Sequence, residues 1–393
     1  MGGPPGSIDP TIHEARPAAT TSAVSTTNGP SPSGQALFLS GVPTSIGHVY
    51  RVEHVAAALA GHGWQTSWLP VDDPRVSTAV EAADVVTAFR APWSEPLAAA
   101  VSRCRDRGIP FVYDVDDLIF DPEVMASGQV AVLAEMASED RRRFEASASR
   151  HRETLARVDA AVLTTGSLAA AAAAHCRRTF VVPNALDPRM EAAAAAARAT
   201  VSKPSAADGR PRLVFASGTP SHARDFTVAA EAVARLFARR PEPLLVVVGH
   251  LDIGRYPCLA PFADRIERRA IVPLLSLFAE VARCDVNLAP LELGNPFCDA
   301  KSGIRCLAAS IVGVPSVASP TPPLVEAVAA GQAGLVAGDV AEWERALEHL
   351  VADAAGRQRL GHEARGHAEA RWGFAAWAPH VARVFTEIVA GAA

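Results

Sequence analysis

The chain has 393 residues, of which 49% are hydrophobic and 20% charged, and a net charge of −5. That length exceeds one ordinary core, so two domains are expected. The mildly acidic balance excludes a general nucleic-acid binder, which needs a basic face, and no apolar run approaches the ~20 residues that span a bilayer.

Residues 1–34 are mostly Pro, Gly, Ser, Thr and Ala. They cannot bury enough surface to offset their ordering entropy, and disorder is expected. They also lack the basic start and apolar core of a signal peptide. Ala36–Ser40 reads as the first strand. The turn GVPTSIGH follows, bracketed by Gly41 and Gly47, and a helix is predicted from about His48 to Ala60. Gln65–Pro70, Asp84–Phe89 and Pro110–Asp114 read as further strands separated by helical spacers, the alternation of a parallel, doubly wound sheet. A long, charged, exposed helix is predicted over 138–157. Ala160–Thr164 and Phe180–Val182 are strands, with an alanine-rich helix between them. From Glu191 to Pro211 the composition shifts to alanine and then to polar residues and proline, which reads as a linker.

The second half repeats the pattern. Arg212–Ala216 is a strand, and SGTPSHARDF leads into a helix with Phe226, Ala229, Val233, Leu236 and Phe237 on one face. Leu244–Val248 is a strand, Arg269–Val272 opens the next unit, and Leu274–Val281 is its helix. Val286–Pro290 leads into NPFCDAKSGIRCLAASIVGVPSVASP. Here Asp299 is the expected N-cap, with Lys301 and Ser302 in the first turn. Ile304, Leu307, Ala308 and Ile311 form an apolar face, and Gly313 and Pro315 end the helix. A helix start carrying a lysine suits a phosphate. Gly334–Ala337 is a last strand, and three helices follow. The final one, 374–390, aligns Trp377, Val381, Val384, Phe385 and Ile388 in a stripe that must dock against something.

Two further places carry chemistry. Asp114, Asp116, Asp117 and Asp121 crowd the end of the fourth strand. They could bind a cation, accept hydrogen bonds from sugar hydroxyls or supply a base; a helix cap with a solvated acidic loop is the alternative. SGTP sets Gly218 and Thr219 directly after a strand, where a missing side chain lets backbone approach a ligand. Arg224 lies later in that loop and could bond a phosphate bidentately, or simply pair on the surface with Asp225. The six cysteines have no CxxC or metal-ligand spacing, so reduced thiols with packing roles are expected.

The stretches HVYRVEHVAAAL, DVDDLIFD, VVPNALD, FASGTPSHARDF and NPFCDAKSGIRCLAASIVGVPSVASP resemble the retaining nucleotide-sugar glycosyltransferases of the GT-B fold. That group includes bacterial polysaccharide, glycolipid and natural-product transferases. The resemblance implies an α/β protein with two Rossmann-like, doubly wound parallel sheets facing a cleft. Residues 35–190 would be the acceptor domain, 191–211 the linker and 212–372 the nucleotide-sugar domain. Residues 373–393 would cross back to the first domain. Arg224, Lys301 and Asp299 would be catalytic. Gly218, Thr219, Val272, Ser302, Glu326, Gly41 and Gly47 would bind the donor, and Asp114, Asp116 and Asp117 the acceptor. Ala300 and Ala308 stand where this family commonly has two glutamates.

The implied activity is a hexosyltransferase-like transfer from a nucleoside-diphosphate sugar to a saccharide, lipid or small molecule, with configuration retained. No metal or cofactor is expected, because two cations would serve the diphosphate. No nucleic acid is an expected partner. Membrane contact would be peripheral at most, and the location cytoplasmic or at the membrane face. The alanines at 300 and 308 motivate the alternative, a catalytically silent GT-B protein that binds nucleotide or a partner enzyme. An epimerase or phosphorylase is a third reading.

Overall fold

The computed structural model describes residues 34–391, apart from 132, 134, 135 and 219–223. The expected disorder of residues 1–34 therefore falls, but for Gly34, outside the described residues, and so does Thr219. The first half forms β1 (Gly34–Ser40), α1 (His54–Ala60), β2 (Trp64–Pro70), α2 (Val76–Glu81), β3 (Val85–Phe89), α3 (Glu95–Arg107), β4 (Phe111–Val115), α4 (Pro122–Ala126), α5 (Ser138–Arg157), β5 (Ala160–Leu163), α6 (Gly166–Ala172) and β6 (Thr179–Val181). A wide helical turn, Val49–Glu53, leads into α1.

Helix α7 (Pro188–Thr200) bridges to the second half. There the chain forms β7 (Arg212–Ser217), α8 (Thr227–Arg239), β8 (Leu244–Gly249), β9 (Ile266–Arg269), α9 (Leu274–Ala282), β10 (Val286–Ala289), α10 (Pro296–Asp299), α11 (Ile304–Ser310), β11 (Ser316–Ala318), α12 (Pro322–Ala327), β12 (Gly334–Val336), α13 (Val340–Ala352), α14 (Ala354–Trp372) and α15 (Phe374–Ala390).

Two six-stranded sheets result, ordered β2-β1-β3-β4-β5-β6 and β12-β11-β10-β7-β8-β9. Every pairing is parallel, as in the register Phe38↔Trp68 and Phe38↔Thr87 around β1. Helices cover both faces, so a strand such as LLVVV reads as an unbroken apolar run. The stripe on α15 docks where its periodicity requires. Trp377, Val381, Val384, Phe385 and Ile388 are all buried. The helix packs on α1, and Phe385 lies 6.1 Å from Phe38 and 6.5 Å from Trp64 between ring centroids.

Some expectations need correction. The segment read as a linker, 191–211, is helical over 191–200, within a thirteen-residue helix that begins at Pro188. Asp187 caps it through Met190 N–H at 2.8 Å, and it packs on α9. Its polyalanine run suits helix-on-helix packing as well as it suits a linker. Helix α5 is not exposed throughout, because Ala148, His151, Thr154 and Leu155 are buried. Strand β9 ends where the next unit was expected to begin. Asp299 caps nothing; it is the last residue of α10. Asn295 is the cap, accepting from Phe297 N–H at 3.0 Å with Pro296 in the first turn, and that pair is the stronger start signal. Helix α11 begins only after Gly303, so Lys301 and Ser302 lie between the two helices. A Cβ at Gly303 would fall 2.8 Å from Ala327 Cβ, so the chain bends there against α12.

Burial makes one histidine a pH-sensitive element of the first domain. His151 is 7% exposed and its Nδ1 lies 2.7 Å from the Tyr113 hydroxyl. Desolvation, aided by the cations of Arg90 and Arg150, pushes its pKa down to about 3. An unfolded histidine titrates near 6.5, so the unfolded chain binds the extra proton first. The stability from the neutral ring is complete above about pH 6.5 and is lost as pH falls toward 3, by up to about 1.4 kcal/mol per pH unit. His151→Gln should therefore show a shallower fall in melting temperature between pH 6.5 and 4.5. Parallel curves for the two proteins would refute the assignment.

Candidate active site between the two sheets

In a doubly wound sheet, ligands bind beyond the strand C-termini where the strand order reverses. In the first sheet that point lies between β1 and β3, which brings Gly41–Gly47 beside Arg90. In the second it lies between β7 and β10 and gathers Gly218, Arg224 and residues 291–302.

On the first-domain side the four aspartates resolve into separate jobs. Asp114 is fully buried and takes two hydrogen bonds from Arg51, Nε to Oδ1 and Nη2 to Oδ2, both 2.8 Å. It cannot bind an acceptor, and the expected role is corrected accordingly. Arg90, at φ 42°, forks between Asp116 Oδ1 and Asp117 Oδ2, the latter at 2.6 Å. Those two carboxylates stay partly exposed, at 10% and 27% of their side chains, so they keep lone pairs toward the cleft. Asp121 caps α4 through Val124 N–H at 3.0 Å. The two glycines have packing reasons. A Cβ at Gly41 would sit 2.3 Å from Arg90 O, and one at Gly47 would sit 2.9 Å from Asp116 Oδ2.

On the second-domain side Gly218 faces open space, since nothing lies within 4 Å of its ideal Cβ. Arg224 is held away from it. Nη2 bonds Glu292 Oε1 at 2.9 Å, and Nη1 bonds Gly128 O of the first domain at 2.9 Å. Lys301 Nζ rests 4.7 Å from the centre of the Phe297 ring. Val272 is half-buried beside Ile271 and Leu275, which are 36% and 42% exposed and form an apolar lip after β9. Glu326 is engaged by Arg371, whose Nε lies 3.1 Å from Oε1. The described cysteines are all free thiols, and burial pushes Cys298 up to about 12, which fits the expected packing role. Among the described residues no cluster of His, Cys, Asp and Glu could hold a metal. No described helix is long and apolar enough to cross a membrane.

Sequence reading missed two residues here. Arg305 lies at the reversal point of the second sheet, its guanidinium 4.8 Å from the Phe215 ring centre and Nη1 3.4 Å from Pro290 O. Asn184 reaches across from the other domain, donating to Ser302 Oγ at 3.3 Å. Both sit within stretches quoted for the resemblance, but neither has a local signal that separates it from surface polar residues.

The domains touch directly. Besides Arg224 and Asn184, Asn295 Nδ2 donates to Gln129 O at 2.8 Å and Thr165 Oγ1 to Ala300 O at 3.0 Å. Phe297 and the buried Ala300 pack against first-domain core residues. The space left among Thr165, Asn184, Ser302, Glu326 and Trp372 is about 30 Å³, room for a water or two. A ligand the size of a monosaccharide does not fit this space unless the domains part.

Residues 210–353 match the family model described as Glycosyl transferases group 1. No curated protein sequence matches the chain. Three solved structures share the two-domain fold. Sucrose-phosphate synthase from Thermosynechococcus elongatus has 17% identity and a TM-score of 0.61, over 91% of this chain and 100% of that one. Anabaena HepE in complex with UDP has 15% identity and a TM-score of 0.60, over 90% and 100%. WaaG, a glycosyltransferase involved in lipopolysaccharide biosynthesis, has 16% identity and a TM-score of 0.58, over 89% and 99%.

Proposed function

For this chain, which has the GT-B fold and carries a group 1 glycosyltransferase domain, we propose transfer of a hexose from a nucleoside-diphosphate sugar to an acceptor hydroxyl, with retention of configuration. The observation that carries the reading is the coincidence of two independent facts. The matched segment, 210–353, supplies the strand ends β7 and β10 that meet at the reversal point of the second sheet. The segments that follow those ends carry three cations, Arg224, Lys301 and Arg305, which would serve the diphosphate.

Negative charge grows on the diphosphate as the bond to the sugar breaks. Fixed cations there stabilise the transition state more than the ground state, usually the largest single catalytic contribution. The leaving phosphate is basic enough to take the acceptor proton. Asp116 and Asp117, ordered by Arg90, would accept hydrogen bonds from acceptor hydroxyls. When the domains part, Arg224 exchanges Glu292 and Gly128 for phosphate oxygens. HepE binds UDP, so uracil is the first base to test.

Thermal unfolding with UDP, GDP and ADP in wild type and Arg224→Ala tests the donor site. A ligand at 100 times its dissociation constant adds about 2.7 kcal/mol, a shift of a few degrees. One nucleotide should raise the midpoint, and Arg224→Ala should lose most of that gain. No shift with any of the three at millimolar levels would favour the silent alternative, for which Ala300 and Ala308 are the specific observation.

A further inference from the structure

Arg51 and Asp114 are both fully buried, and they lie 63 positions apart in sequence. Taking two charges out of water is expensive. A buried ion pair is often no better for stability than apolar residues of the same volume. Stability therefore does not explain the pair; the remaining nitrogen of Arg51 does. Its Nη1 donates to Val182 O at 2.7 Å and to Asn184 Oδ1 at 3.3 Å. A guanidinium has donors only, so the atom of Asn184 facing it must be the carbonyl oxygen. The amide is thereby turned, and its Nδ2 points across the cleft toward Ser302 Oγ at 3.3 Å. That contact, like the equally long one from Arg51 Nη1, lies just beyond the usual hydrogen-bond range, and it spans the place where the domains must part. Asn184 thus presents one oriented N–H donor from the first domain. It points into the space lined by Ser302 and Gly303, beside Thr164, Thr165 and Glu326.

We propose that Asn184 hydrogen-bonds the transferred sugar, so that it determines how the hexose part of the donor is held. Arg51 and Asp114 are positioning residues that act through it. The inference rests on the glycosyltransferase reading. A group passed between molecules held by opposite domains lies between them. The first-domain donor facing the diphosphate side therefore meets the sugar before it meets the nucleotide. An asparagine that merely clipped the domains together would affect nucleotide and sugar nucleotide alike.

The test is calorimetric titration of the full chain with UDP and UDP-glucose, GDP and GDP-mannose, and ADP and ADP-glucose, in wild type, Asn184→Ala, Asn184→Asp and Arg51→Lys. The quantity read is the ratio of the two dissociation constants within the pair that binds. In Asn184→Ala the sugar nucleotide should bind about 3- to 10-fold more weakly, with the free diphosphate within twofold of wild type. Asn184→Asp keeps the volume but has no N–H and should lose as much. Arg51→Lys cannot make the same fork and should move the ratio the same way by less, while a cooperative melt shows that the chain is folded. Equal weakening of both ligands, or no change in the ratio, would overturn the proposal and leave the glycosyltransferase reading standing. Absence of binding by wild type to all six would overturn both.

Discussion

Asp114→Ala should cost about 3–5 kcal/mol of unfolding free energy, enough to remove roughly a fifth or more of the stability of an ordinary domain. The carboxylate is fully buried, and its two oxygens take two of the guanidinium's bonds at 2.8 Å. Its removal leaves the Arg51 cation inside the protein with only Val182 O and Asn184 Oδ1 as partners. Urea unfolding of wild type, Asp114→Ala and the double variant Arg51→Met with Asp114→Leu would measure this. The double variant should be less damaged than Asp114→Ala alone, because no unpaired charge is left and the two sites are strongly coupled. If Asp114 were instead an acceptor ligand, as its place in the DVDDLIFD run suggested, Asp114→Ala would leave the urea midpoint unchanged and raise only the acceptor KM.

The second large effect is expected at Lys301. Lys301→Ala should lower kcat by about 10²–10³, with the sugar nucleotide found by calorimetric titration as donor. Its side chain is half-buried, and Nζ lies over the face of Phe297 at 4.7 Å. That contact contributes about 0.5–1 kcal/mol, so the melting temperature should hardly move. A cation that acts on charge developing in the transition state affects kcat more than KM. Lys301→Arg keeps the charge and should recover part of the rate. Turnover by Lys301→Ala within a few-fold of wild type would remove this residue from the mechanism and leave Arg224 and Arg305 to serve the diphosphate.

The two effects separate what the local sequence could say from what it could not. Asp114 and Asp117 are three residues apart, and from sequence they belong to one acidic cluster. In the folded chain one is entirely enclosed and the other reaches the cleft. Arg51 and Arg90, which make that difference, come from a helical turn and a strand end well upstream. Asp299 looked like the cap because it precedes a periodic apolar run. Asn295 and Pro296 win the role because they satisfy the first turn and begin it with a fixed φ.

The sequence by itself determined the alternation of strands and helices, the division into two parallel sheets, the glycine turns after β1 and β7, and the docking stripe of the last helix. These follow from side-chain periodicity, turn chemistry and burial, which act over a few residues. Tertiary structure alone decided the order of strands within each sheet, and with it which loops meet at the reversal points. It also decided the assignment of each aspartate to its arginine, the turning of the Asn184 amide by Arg51, and the insertion of Phe297 and Ala300 into the first domain. Each depends on groups brought together from distant segments, and no local pattern in the chain records which groups will meet.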